Sequence, residues 1–110
     1  MSRGTAILIL LAAAILEAVG DAAVRIGIHT NAWYRYAMFA AAAVILFAYG
    51  GTVNAPPWDF GKLLGLYVVF FFAIAQLISW LFFKQRPSTA VLLGGLLIVA
   101  GGIVISFAKA

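Results

Sequence analysis

The sequence predicts an all-α integral membrane protein, a bundle of four transmembrane helices, and three observations carry that prediction. Apolar residues make up 66% of the 110 residues, only 9% are charged, and the mean hydropathy is +1.15. A soluble domain carries about a quarter of its residues as charges. The apolar residues also fall into four runs, each near the ~20 residues a helix needs to cross a hydrocarbon layer about 30 Å thick. Short polar or proline-bearing breaks separate the runs, so residues 1–110 read as one four-helix domain in a lipid bilayer.

The charge pattern narrows the function classes. Seven basic residues against three acidic ones leave a net charge of +4, but the bases are scattered at segment ends. They read as interface anchors and argue against nucleic-acid binding. With no cysteine in the chain, disulfides, thiolate catalysis and cysteine metal sites are excluded. His29 has no partner residues around it and reads as a solvated loop residue, so no metal site and no cofactor are expected. No nucleophile, base or metal constellation is present, which disfavours an enzyme.

The first span covers residues 5–28 and ends at His29, Thr30 and Asn31. A secretory signal peptide is the competing reading, because Arg3 precedes an apolar run and Ala18-Val19-Gly20 resembles a cleavage site. Apolar character continuing past Asp21 to Ile28 favours the span. Trp33, Tyr34, Arg35 and Tyr36 then form an aromatic and basic belt, and the second span runs over 34–51 with a small-residue middle, Ala40 to Ala43. Small residues let helix backbones approach closely in lipid. Pro56 and Pro57 hold the next break open, and Asp59 is placed to cap the third span, 62–83. A basic turn, Lys84-Gln85-Arg86-Pro87-Ser88, leads to the fourth span, 89–107. Pro87 suits a first helical turn there. Trp33, Trp58 and Trp80 read as interface anchors.

Within the first span stand Glu17, Asp21 and Arg25. At 1.5 Å per residue Glu17 lies roughly 18 Å from Thr5, near the middle of the hydrocarbon. A carboxyl there costs about 2.5–3.5 kcal/mol on insertion scales, and residues kept at that cost typically face a bundle interior and handle ions or protons. Glu17 is therefore the expected working residue. Asp21 lies one turn beyond it and one turn before Arg25, at the spacing where helical neighbours meet. Two readings follow: Asp21 is a second proton or substrate site, or it pairs with Arg25 near the interface while Arg25 snorkels. The ion pair is the expectation. Gln76 is half a turn out of phase with Tyr67 and reads as a contact between helices. On the fourth span Ala90, Gly94 and Gly101 lie near one face, a candidate dimer seam or an intrachain packing surface.

Four spans place Arg3, Lys62 and Lys109 on one side and Arg25, Arg35, Lys84 and Arg86 on the other. Under the positive-inside rule this is almost no bias, which predicts insertion in both orientations.

Leu16-Glu17-Ala18-Val19-Gly20, Ser79 to Arg86 and the Gly94, Gly101 pair resemble the small multidrug resistance family of the drug/metabolite transporter superfamily. The chain looks like a divergent member. Aligned through Trp80, it has Leu64 and Tyr67 where the family has a tyrosine and a tryptophan, and Val69 with Phe71 where the family has paired glycines. The resemblance implies a homodimer, which in that family is antiparallel, in the inner cell membrane. It implies that Glu17 is shared between protons and a small cationic or amphipathic substrate, with Asp21 and Tyr67 at the same site. Leu10, Ala13, Ala14, Gly20 and Phe71 then line the pocket, and Ala90, Gly94 and Gly101 form the dimer interface. The expected function is proton-coupled export. Its alternatives are a carrier or flippase subunit for a neutral or lipid-linked metabolite, and a non-transporting accessory membrane protein.

Overall fold

The computed structural model describes residues 1–108. Lys109, one of the bases in the charge balance, lies outside them. Four helices follow one another: α1 (Arg3–Ile28), α2 (Arg35–Val53), α3 (Phe60–Phe83) and α4 (Thr89–Ser106). Each is long and apolar enough to cross a membrane, and no strand occurs among the described residues. The molecule is a multi-pass membrane protein.

The helix ends show which residues stop the chain from continuing straight. Ser2 caps α1, its hydroxyl accepting from the Thr5 amide at 3.1 Å, which starts the helix two residues before the predicted 5. Asp59 occupies the N-cap of α3 but makes no side-chain cap; its backbone carbonyl instead accepts from Leu63 N–H at 2.8 Å. Pro87 lies before α4 and not in its first turn, because Ser88 is the cap and accepts from the Val91 amide at 3.2 Å. The third helix closes with Lys84 in the left-handed conformation, φ 55°, and the Gln85 amide donating back to the Ser79 carbonyl at 2.9 Å. This wrap satisfies an otherwise orphaned carbonyl and turns Gln85 back toward the helix.

The helices pack in the order α2, α1, α3, α4, with α1 and α3 as the inner pair. The assembly is only 19 Å deep, about two helix diameters. Consequently most large apolar side chains point outward; Phe47 is 86% exposed and Leu97 is 76% exposed. In water such a surface would aggregate, whereas lipid solvates it at no cost. The core proper is small: Leu10, Ala13 and Ala14 of α1 meet Val53 of α2 and Leu63 and Tyr67 of α3.

Close approach between α1 and α2 comes from glycines on α1 more than from the alanines on α2, of which only Ala42 is buried among Ala40 to Ala43. Leu46 covers Gly20 and the Phe39 ring covers Gly27. The fourth helix uses a pair of glycines in the same way. Gly95 lies under Phe72 and Gly102 under Val69 of α3. Gly94 and Gly101, one position earlier, meet nothing within 4 Å, and Ala90 is exposed on that side. The intrachain packing reading of Ala90, Gly94 and Gly101 is thereby excluded, since the seam to α3 belongs to Gly95 and Gly102.

A side chain at Gly95 would meet Phe72 at 2.5 Å. Overpacking of this kind costs about 1–3 kcal/mol. Gly95→Val is therefore expected to destabilise the α3–α4 pair by that amount and Gly94→Val to leave it unchanged, as read from SDS-titrated unfolding followed by circular dichroism.

Candidate functional site

Glu17 sits halfway along α1, half-buried, on the side that meets α3. Ala13 and Ala14, fully buried one turn before it, have no bulk beyond Cβ, and that lets α3 come close. The Tyr67 hydroxyl of α3 crosses this seam and donates to Glu17 Oε1 at 2.8 Å. Tyr67 itself is 4% exposed. A buried phenol needs a polar partner for its hydroxyl, and Glu17 is that partner.

The bond has a chemical consequence. Tyr67 donates to one carboxyl oxygen, and either protonation state of Glu17 retains an acceptor there. Oε2 makes no hydrogen bond among the described residues, so it is the atom left to take a proton or to face a cation. Tyr67 thus holds the carboxyl in place without occupying its exchangeable position.

Aromatic rings surround the phenol. Phe71, one turn along α3, stacks on Tyr67 with centroids 6.2 Å apart, and the Tyr49 ring of α2 lies 5.7 Å from the Tyr67 ring with a tilt of 38°. Tyr49 escaped the sequence reading. Its signal was present, since it carries a hydroxyl in a stretch of α2 that is otherwise alanine, valine, isoleucine, leucine and phenylalanine.

The other predicted residues divide into those the fold gathers and those it separates. Leu10, Ala13, Ala14 and Tyr67 share one core cluster, and Phe71 packs against it. Gly20 turns instead to α2, beneath Leu46 and Ile45. Asp21 lies beyond the phenol, in a groove of about 290 Å³ between α1 and α3 that Arg25, Phe71, Ser79 and Gln85 also line. The expected Asp21–Arg25 ion pair is not formed. The Arg25 guanidinium lies 5.4 Å from the centre of the Phe83 ring, because its long stem reaches the end of α3, where an aromatic face is available. Gln76 makes no hydrogen bond among the described residues, so its expected role between helices is not realised within one chain.

Trp58 departs from a simple interface anchor, since it packs against the core cluster while Lys62 lies 5.0 Å over its ring. Trp80 pairs with Arg86 at 6.0 Å in the same manner. Among the described residues, no three His, Cys, Asp or Glu side chains gather into a metal-binding group.

Hydrogen bonds inside membrane bundles contribute about 0.6 kcal/mol on average, with a maximum near 1.7. Tyr67→Phe, which deletes only the hydroxyl, is expected to lower stability within that range, while Gln76→Leu costs nothing measurable. Thermal unfolding of both variants in the same detergent checks the contrast.

No family model, curated protein or solved structure matches the chain.

Proposed function

We propose that the chain is a proton-coupled secondary transporter that exports small cationic or amphipathic compounds, and that it is a divergent member of the small multidrug resistance family. The observation that carries this reading is the Glu17–Tyr67 hydrogen bond, which positions a mid-membrane carboxyl and leaves its second oxygen unpartnered. Polar groups kept at such depth mark ion and proton pathways. Glu17 holds either a proton or a cation. Loading a cation releases the proton, and reprotonation from the other side expels the cation, so each step drives the other.

The aromatic walls from Tyr49, Tyr67 and Phe71 suit this cargo, because ring faces attract cations and their apolar bodies accept hydrophobic substituents. A single chain provides one wall of such a site. The open α4 face bearing Ala90, Gly94 and Gly101 is the proposed seam with a second copy, antiparallel in keeping with the balanced charges of the loops. The proposed location is the inner cell membrane.

The test is proton release on adding tetraphenylphosphonium and smaller quaternary cations to purified protein in weakly buffered detergent. The native chain is expected to release protons and Glu17→Gln to release none. Competition for one carboxyl also predicts that lowering the pH weakens cation binding in the native chain and leaves it unchanged in Glu17→Gln. Proton release unchanged in Glu17→Gln overturns the mechanism.

A further inference from the structure

We infer that the α1–α3 groove beside Glu17 binds a small zwitterion, with its ammonium end against Asp21 and its anionic end against Arg25. This rests on the transport reading above and narrows its cationic or amphipathic cargo to compounds that also carry an anionic group. Asp21 and Arg25 stand one helical turn apart, where an acid and a base ordinarily pair, yet here each faces the same groove of about 290 Å³ without the other. Two opposite charges held apart on one wall are complementary to a ligand that carries both.

Both charged side chains line one groove of modest volume, which suits a small ligand carrying an ammonium and a carboxylate or phosphate. Arg25 offers a planar fork that matches such an anion. Gln85 stands on the facing wall at the end of α3, its backbone carbonyl accepting from the Ser79 hydroxyl at 3.2 Å, and its side-chain amide N–H groups are left to donate to the anionic end. The rest of the groove, Ala18, Ala22, Ala75, Ile78 and Phe71, is apolar and accommodates methylenes or N-methyl groups. A plain cation placed at Asp21 sits within one turn of the guanidinium and is repelled by it. That repulsion selects for the zwitterion.

A second groove, of about 440 Å³, shares Arg25, Phe83 and Gln85 with the first and continues to His29, Thr30 and Tyr34 at the end of α1. It provides a polar approach from the membrane interface, and the same zwitterionic chemistry reaches it from a free solute or from a phospholipid headgroup.

The experiment titrates purified, delipidated protein with glycine betaine, with choline as the cation lacking the anionic end, and with dihexanoyl phosphatidylcholine below its micellar concentration. Calorimetry is expected to show betaine or the phosphatidylcholine binding at least about tenfold tighter than choline, with Arg25→Gln removing that preference while choline binding persists. Saturation by betaine assigns a free solute, and saturation by phosphatidylcholine alone assigns a headgroup. Equal affinity for choline and both zwitterions, a preference that survives Arg25→Gln, or no binding of any of the three overturns the proposal. Should Arg25→Gln fail to fold, Arg25→Lys decides: a retained preference for the zwitterion supports the inference, and its absence overturns it. Failure of the transport reading is separate, because that reading is lost when Glu17→Gln leaves tetraphenylphosphonium-driven proton release unchanged, whatever Arg25 does.

Discussion

A carboxyl in the middle of a bilayer needs a partner, and the hydrogen bond from Tyr67 to Glu17 is the interaction around which this bundle is arranged. For the phenol to reach across, α3 must lie close to α1, which requires the small side chains of Ala13 and Ala14. The same closeness buries Leu10 against Leu63 and brings Val53 of α2 into the cluster. Packing and polarity therefore support each other. Lipid supplies no hydrophobic drive for helices to associate, so dispersion contacts at small residues and a buried polar contact carry the inner pair.

The outer helices attach by a different device. On both sides of the inner pair, glycines receive a large side chain from the neighbouring helix: Gly20 and Gly27 under Leu46 and Phe39, Gly95 and Gly102 under Phe72 and Val69. In α4 the glycines occur as two adjacent pairs seven residues apart, and only one pair is used within the chain. The other pair, Gly94 and Gly101, remains uncovered beside exposed Ala90. One helix thus presents two seams about 100° apart, so it can hold α3 and still offer a face to another helix.

The polar residues divide by depth. Glu17 is held by a buried phenol in the centre of the bundle, while Asp21 and Arg25 line an open groove nearer the end of α3. The end of α3 shapes that groove. Its left-handed closure at Lys84 folds Gln85 back, and Phe83 receives the Arg25 guanidinium. A cation against an aromatic face near the interface keeps its hydration on one side, which accounts for Arg25 leaving Asp21.

The amino-acid sequence alone determined the number of membrane-length helices, their ends to within two residues, and the position of a carboxyl, Glu17, halfway along the first. These follow from hydropathy and from the cost of a charge at a given depth, which are properties of position along one helix. Tyr67 at the same site came from likeness of pattern, its hydrogen bond to Glu17 came only from the fold, and Tyr49 was passed over, because an aromatic residue in a membrane helix has no periodic signature that separates a site from a lipid-facing belt. Only the tertiary structure decided which glycine pair of α4 faces α3, that Gly20 belongs to α2, and that Asp21 and Arg25 stand apart. Those outcomes depend on rotation of one helix about its axis relative to another. In a chain that is apolar on nearly every face, no hydrophobic stripe records that rotation, and it is set by which side chains fit together.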